Sequence, residues 1–570
     1  MTLAAQTFRE QLRCRLQQNR DRVLLRIVIS PSAAPLELSG GDILARARAL
    51  AADYLQAPAS GVVLLLLPHS PELFLLYLGL ILAGRVPAIL AWPTSRIDPE
   101  KYQRNLLHQL RHLPARQLIT LPQLAVNLGA ALQFAATACA IENAAQWEKG
   151  FAIPLPSEPF APSAACDAPA DALFLQFSGG TTGAQKAVVV TAPMLQAQLA
   201  RLAELLEFSE RDGVASWLPM YHDMGLIACL WLPLWCGAPS LQFSASEWLL
   251  RPETLFQFVD RYGATFCWLP NFAFSYMAAQ KERMKGPYSL SHVRAWINCS
   301  EPVRMRSFQE FARAFGDWGI SMKSLQASYG MAENVFAVTQ TKVVSVPRTF
   351  PRSLLRHQAA AFEANAFDLL DDVYVSSGQI LNGMEVRVAG SAGRVCADCE
   401  PGSIQIRTES LFSGYWTRDG LVTSPLSDDG WYTTGDYGFL ADGELYVIGR
   451  LKDIIIVGGQ NVFPEDVEMV VNSLDSVYPG RVVAFGIVDE QYGTESIAVV
   501  AEMRGEFDPQ AAETVERQIK ELVLSTIGIA PRFVAVVPER WIVKSTAGKI
   551  SRKETWERFA RERLPQPVAV

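Results

Sequence analysis

Histidine is scarce in this chain, six in 570 residues, and only His222 stands in a chemically suggestive setting. No His-Glu-x-x-His pair and no Ser-His-Asp order is present, which sets aside the zinc-protease and serine-hydrolase arrangements. Positive charge is not in excess either. Lys and Arg number 51 against 58 Asp and Glu, a net charge of −7, so nothing resembles the basic face that nucleic acid requires. Charged residues are only 19% and apolar ones 49%, a balance that excludes a largely disordered chain. Nine cysteines are scattered without a disulfide framework, as expected of a reduced, cytoplasmic protein. Cys396-Ala-Asp-Cys399 is a lone C-x-x-C, without the second pair that a structural zinc needs. The first ten residues meet charge too early for a secretory segment, and none is expected. Long apolar runs are few. Leu73 to Gly84 is too short to span a membrane, and Met224 to Ser246 is interrupted by Pro233, Gly237 and Pro239. Both read as core, and no membrane span is expected.

The length implies more than one domain. Val62 to Leu67 has the unbroken apolar character of a strand covered on both faces. Glu72 to Ala83 reads as the helix after it, and Val86 to Ala91 as a second strand. Strand, helix and strand at this spacing predict a parallel sheet with right-handed crossovers. The fold class expected is therefore α/β: a large domain over residues 1–449 with parallel-rich sheets, then a small mobile α+β domain over 450–570. In the latter, Val482 to Val488, Ser496 to Glu502 and Arg532 to Val537 are strand-like. Asp508 caps a helix that opens on Pro509 and puts Val515, Ile519, Leu522 and Val523 on one face. A Pro- and Ala-rich connector is expected from Glu158 to Asp171.

After that connector, the apolar run Leu173 to Phe177 breaks into Ser178-Gly179-Gly180-Thr181-Thr182-Gly183-Ala184-Gln185-Lys186. Glycines let backbone N–H groups converge on an anion, and the hydroxyls and Lys186 add donors and charge. The loop suits a polyphosphate, although it does not align with G-x-x-x-x-G-K-[ST]. A flexible surface turn has the same composition, so the loop alone decides nothing.

Together with several blocks downstream of it, the loop resembles that of the adenylate-forming superfamily: acyl-CoA ligases, luciferases and peptide-synthetase adenylation domains. That family's pattern, [ST]-[ST]-G-[ST]-T-G-x-P-K-G, differs here at Gly179, Gln185 and Ala187. The downstream blocks match in order. Trp217-Leu-Pro-Met-Tyr-His-Asp-Met-Gly225 is similar to the segment bordering the carboxylate pocket. Asn298-Cys-Ser-Glu-Pro302 resembles the adenine-contacting stretch, and Tyr329-Gly-Met-Ala-Glu333 the Y-G-x-[AT]-E block. Ile404-Gln-Ile-Arg407, Ser413-Gly-Tyr-Trp416, Tyr432-Thr-Thr-Gly-Asp436, Gly449-Arg-Leu-Lys-Asp453 and Gly548-Lys549-Ile550 complete the set.

The resemblance implies the cofactors ATP and Mg²⁺ and a role for each matched residue. Ser178 to Gly183 and Lys186 would hold the phosphates. Ser300, Glu301, Pro302, Tyr329 and Gly330 would border adenine, Asp436 would take the ribose hydroxyls, and Arg450 would also bind the nucleotide. Asp436 is expected in an exposed loop of the cleft. Glu333 would bind Mg²⁺, Lys549 would bridge carboxylate and α-phosphate, and Lys452 would be the hinge. His222 would position the substrate together with Trp217, Tyr221, Asp223, Met224, Asn271 and Phe272. The chemistry requires such residues, because a carboxylate attacks an anionic phosphate only when charge is neutralised and the approach is in line.

One subgroup fits best, the fatty acyl-AMP ligases. Tyr221-His-Asp-Met-Gly-Leu226 and Trp268-Leu-Pro-Asn-Phe272 resemble their sequences. The stretch between Glu333 and Gly378 is longer than in ordinary CoA ligases, as though it held their insertion, about 342–375. Phe350, Leu354, Leu355, Phe362, Phe367, Leu369 and Leu370 give it an apolar face. The expected reaction is formation of an acyl-AMP and pyrophosphate from ATP and a small-molecule hydrophobic carboxylic acid, fatty or a related acyl acid. Transfer to the phosphopantetheine of an acyl carrier protein would follow, with CoA or an amine as the alternative acceptor. A non-catalytic binding protein is the remaining reading, and the intact Glu333, Asp436, Arg450 and Lys549 argue against it.

Overall fold

A computed structural model describes the chain apart from residues 1–2, 31–32, 55–60, 93–98, 114, 116, 123, 125–134, 139–167, 170, 179–185, 353, 356–372, 391–392, 459, 490–493, 545–549 and 564–570. The predicted strand–helix–strand unit is present as strand Val62–Leu66, helix Pro71–Leu82 and strand Val86–Ile89. The two strands pair in parallel, as expected. Ser70 caps the helix by accepting from the Leu73 N–H, with Pro71 at its first position. Leu73 to Ile81 are all buried, so this helix is apolar all round because it is core. No helix among the described residues is long and apolar enough to cross a membrane.

The unit belongs to an eight-stranded sheet, and a thirteen-stranded sheet accompanies it. In the larger sheet, strands Phe266–Leu269, Ala295–Asn298 and Leu325–Gly330 run parallel. From Glu385 to Arg450 the pairing is antiparallel throughout. The fold is therefore mixed α/β, with a larger antiparallel share than the alternation of elements implied. The phosphate-loop candidate falls on the antiparallel side as well. It joins strands Ala172–Phe177 and Ala187–Thr191, which pair directly, whereas parallel strands would need a crossover.

The C-terminal part has cores of its own. Strands Val477–Asp489, Thr494–Met503 and Phe533–Val537 form a three-stranded sheet. Alternate residues serve opposite faces. Val482, Ala484, Ile497 and Val499 pack with Val515, Ile519 and Val523 of helix Pro509–Ile527, while Val483, Phe485, Ala498 and Val500 pack with Trp541 and Phe559. Both faces are covered, which is why these strands read as continuous apolar runs. Asp508 accepts from the N–H groups of Gln510 and Ala511, the predicted cap.

Candidate active site

The nucleotide candidates assemble on neighbouring strands. Strand Tyr432–Ala441 pairs with Glu444–Arg450 so that Asp436 lies opposite Arg450. Arg450 Nε is 2.8 Å from Asp436 Oδ1. The Tyr329 hydroxyl, at the end of strand Leu325–Gly330, donates to Asp436 Oδ2 at 2.5 Å. Asp436 is 5% exposed, so it is a buried strand residue and not part of an exposed loop. Burial raises its pKa, opposed by the Arg450 charge and the Tyr329 hydroxyl. A carboxylate offers about four acceptor sites. Each oxygen thus retains capacity for a further donor, which two ribose hydroxyls could supply. Lys452 follows in the turn Leu451–Asp453, next to the nucleotide candidate Arg450.

The second group forms around the phosphate-loop neck, where the Ser178 N–H donates to the Lys186 carbonyl at 3.0 Å. Gly179, Gly180, Thr181, Thr182 and Gly183 lie outside the described residues. Lys186 Nζ stands 4.6 Å from the centroid of the Tyr415 ring. Tyr415 donates its hydroxyl to Glu333 Oε1 at 3.0 Å, and the Tyr432 hydroxyl is 3.5 Å away. Glu333 sits in a turn that ends on Val335, whose φ is +64°. A β-branched residue there costs on the order of 1–3 kcal/mol. Among the bonds that hold the turn, Gln176 Nε2 donates to the Val335 carbonyl at 2.9 Å, and the Phe412 N–H to the Glu333 carbonyl at 2.8 Å. The strand entering the phosphate loop thereby braces the turn carrying Glu333. Gly330 also requires its small size, since a Cβ there would come within 2.6 Å of the Phe336 carbonyl oxygen.

Mg²⁺ suits this donor set. It keeps several waters and binds through one or two carboxylates plus substrate phosphates. Glu333 supplies one carboxylate, and no group of three or more ligating side chains exists among the described residues.

The substrate candidates form a third group. Trp217 stacks on Trp248 at 4.0 Å, and Phe272 meets both edge-on at 6.3 and 6.0 Å. The Phe272 N–H, at the start of helix Asn271–Ala279, donates to Glu301 Oε2 at 3.0 Å. Glu301 thus complements that helix's positive end and ties the adenine candidates to the pocket wall. Asn271 accepts from Asn298 and from the Arg304 N–H, and so braces the same junction. Ser300 has φ +77°, and its hydroxyl lies 4.0 Å from Met224 Sδ. Pro302 follows in the same loop, half-buried.

The Tyr221 and His222 rings are 4.8 Å apart, and burial pushes the Tyr221 phenol up. Asp223 accepts from the Met224 N–H and opens a π-helix, Met224–Trp231. Wide turns of this kind are frequent at functional sites. A Cβ on Gly225 would lie 2.3 Å from the Pro219 carbonyl oxygen, so only glycine fits.

Lys549 lies outside the described residues. Its neighbours are placed: Lys544 and Ile550 form an antiparallel bridge, and helix Arg552–Glu562 comes next. Arg552 meets Glu468 at 2.8 Å, Glu465 at 3.2 Å and Asp453 at 3.6 Å. One guanidinium therefore links the end of the lysine loop to the turn of the expected hinge.

Between Glu333 and Gly378, strands Thr349–Pro351 and Val373–Val375 pair. Phe350 lies 4.9 Å from Phe439, and Leu355 and Tyr374 join the same cluster, as does Phe463 of the C-terminal part. Arg352 reaches Asp466 at 2.9 Å, with Arg304 at 3.7 Å from the same carboxylate. Leu354 is 64% exposed and so does not belong to the expected apolar face. Phe362, Phe367, Leu369 and Leu370 lie outside the described residues.

Tyr415, Tyr432, Gln176 and Val335 carried no role in the sequence reading. The first two sit inside matched blocks, and that was the available signal. Gln176, a lone polar residue in an apolar strand, was the third.

Residues 15–416 match the family of AMP-binding enzymes. A putative acyl-CoA synthetase of Caulobacter vibrioides is 30% identical over 485 residues, 83% of this chain and 81% of that one. A probable long-chain-fatty-acid–AMP ligase of Mycobacterium tuberculosis is 29% identical over 428 residues, 69% of this chain and 70% of the other. Among solved structures, one from a study of fatty acyl-adenylate ligases of E. coli and L. pneumophila superposes with a TM-score of 0.79. It shares 23% identity, covers 97% of both chains and bears on the fold alone.

Proposed function

The chain belongs to the family of AMP-binding enzymes, adenylate-forming ligases that activate acids with ATP, and from that premise we propose that its substrate is a hydrophobic, fatty or related acyl acid. The acyl-AMP formed is handed to the phosphopantetheine thiol of a carrier protein. The observation that carries the ATP-dependent part of this reading is the meeting of Lys186 and Glu333 at Tyr415. A cation for phosphate oxygens stands over the face of one ring and a carboxylate for a metal at its hydroxyl, as a metal-bound triphosphate requires. Bound there, Mg²⁺ would neutralise phosphate charge.

Lys186, Thr181 and Thr182 bind the β- and γ-phosphates. Asp436, supported by Tyr329 and Arg450, takes the ribose, and Lys549 orients the acid's carboxylate against the α-phosphate. The Trp217, Trp248 and Phe272 wall suits an apolar acyl group better than an α-ammonium. Asp223, the one acid from Trp217 to Leu230, already caps a helix. The test offers a panel of carboxylic acids with ATP and Mg²⁺, and CoA and a carrier protein separately. Pyrophosphate release and acyl-AMP by mass spectrometry are expected with apolar acids, and acyl-carrier product in preference to acyl-CoA. Acyl-CoA formed as readily as acyl-carrier product would make this a CoA ligase, and an amide product would make it an amide ligase.

The ribose assignment has its own test. Asp436→Ala should weaken ATP binding by roughly 1.5–3 kcal/mol, the range for hydrogen bonds to a charged group. Asp436 is buried against Tyr329, so Asp436→Asn, which keeps the shape, should accompany it. Calorimetry showing unchanged ATP affinity in a folded variant would remove Asp436 from the site.

A further inference from the structure

Lys186 and Glu333 carry opposite charges on two neighbouring segments, and no ion pair joins them among the described residues. Tyr415 lies between. It sits on strand Gly414–Thr417, paired with the strand that leaves the phosphate loop, Tyr415 opposite Val188 and Trp416 opposite Ala187. Its ring face receives the Lys186 ammonium, a cation–π contact at 4.6 Å. Its hydroxyl, at the far end of the ring, receives the Glu333 carboxylate at 3.0 Å. Phe412 at 4.8 Å and Tyr432, through the hydroxyl contact, hold the ring in place. Burial and the Glu333 charge raise the phenol's pKa, so it stays protonated and donates. Lys186 is exposed and Glu333 half-buried, and an ammonium and a carboxylate free to approach at such a site would pair. The ammonium would then be less available to phosphate and the carboxylate less available to a metal.

We propose that Tyr415 is a positioning residue that keeps Lys186 and Glu333 from pairing before the nucleotide arrives and aims the Glu333 carboxylate at the metal position. The inference rests on the reading that Lys186 binds phosphate and Glu333 binds Mg²⁺. The two charges are thereby stored apart, one for each component of a metal–triphosphate complex.

The experiment measures ATP binding by calorimetry on the full chain, with chelator and no divalent metal, and then with Mn²⁺. Tyr415→Leu removes the ring, and metal-free ATP affinity should fall up to about fivefold as Lys186 pairs with Glu333. Adding Glu333→Gln to that variant should return the affinity to within about twofold of Glu333→Gln alone, because the lysine is released. A merely structural tyrosine gives no such recovery. Tyr415→Phe keeps the ring and the packing. It should leave metal-free affinity within about twofold and shift Mn²⁺ affinity of the ATP complex by about threefold or more, through the lost hydroxyl bond. This variant decides the matter if Tyr415→Leu does not fold. Unchanged metal-free affinity in folded Tyr415→Leu, no recovery in the double variant, or unchanged Mn²⁺ affinity in Tyr415→Phe would each overturn the proposal. Lys186→Ala is the reference. If it leaves metal-free ATP affinity intact, the phosphate reading itself has failed, and the proposal with it. If it weakens binding while the Tyr415 variants do not, only the proposal has failed.

Discussion

Lys549→Ala is expected to slow acyl-AMP formation by about a hundred- to a thousandfold, the size seen when one charge-stabilising donor is removed from a water-excluded site. Charge accumulates on the α-phosphate as the carboxylate attacks, and a lysine that meets both partners stabilises that state more than the bound reactants. The loss should therefore appear in kcat, with ATP affinity nearly unchanged, because Asp436, Tyr329 and Arg450 lie on other strands. The fold should tolerate the change. The loop is closed by the Lys544–Ile550 bridge, and the helix behind it is held by Arg552, neither of which uses the Lys549 side chain. Pyrophosphate release under single-turnover conditions is the measurement. A rate within about twofold of the unaltered protein would take Lys549 out of the mechanism.

Replacing Lys342 to Asp372 with a short linker is expected to produce acyl-CoA where the intact protein makes little or none. If transfer to CoA requires the C-terminal part to reorient about Lys452, contacts made in only one pose bias that equilibrium. Phe350 and Leu355 pack beside Phe439, in the cluster that Phe463 also joins, and Arg352 pairs with Asp466. Burying two such apolar side chains contributes roughly 3 kcal/mol, and about 2.7 kcal/mol is a hundredfold. The CoA-competent pose would then be held near about 1% of molecules. The Arg352–Asp466 pair was not anticipated. It replaces part of the apolar face, since Leu354 points to solvent. Product analysis with CoA present tests the idea. Robust acyl-CoA synthesis by the unaltered chain would end the acyl-AMP ligase subgroup reading and leave adenylation standing. A trimmed protein that adenylates but makes no acyl-CoA would clear the insertion of responsibility.

Local order was legible because its causes are local. Five consecutive apolar residues from Val62 to Leu66, short and opening on two β-branched residues, read as a strand buried on both faces, and Asp508-Pro509 could open a helix wherever the domain placed it. The antiparallel pairing around the phosphate loop was not legible. Nothing in Ala172–Phe177 distinguishes a strand with two parallel neighbours from one that is parallel to Val86–Ile89 and antiparallel to Ala187–Thr191. The exposed loop expected for Asp436 failed for a related reason. Asp436 is polar because it meets Arg450 and Tyr329, and Thr434 because its hydroxyl donates to the Ile404 carbonyl, not because water surrounds all of the segment.

By itself, then, the sequence determined the family and the order of the chemical groups, since both reside in short blocks whose residue types the chemistry dictates. It also determined the elements whose period or caps act within one or two turns of chain. Only the tertiary structure decided which of those groups face one another. Tyr415 comes between Lys186 and Glu333 because strand Gly414–Thr417 pairs with the strand leaving the phosphate loop. Val335 is held at a left-handed angle by Gln176, and Asp466 collects two arginines from separate segments. These pairings join residues far apart in the chain. Their free energy comes from burial and charge shared between whole elements, which no short window of sequence contains.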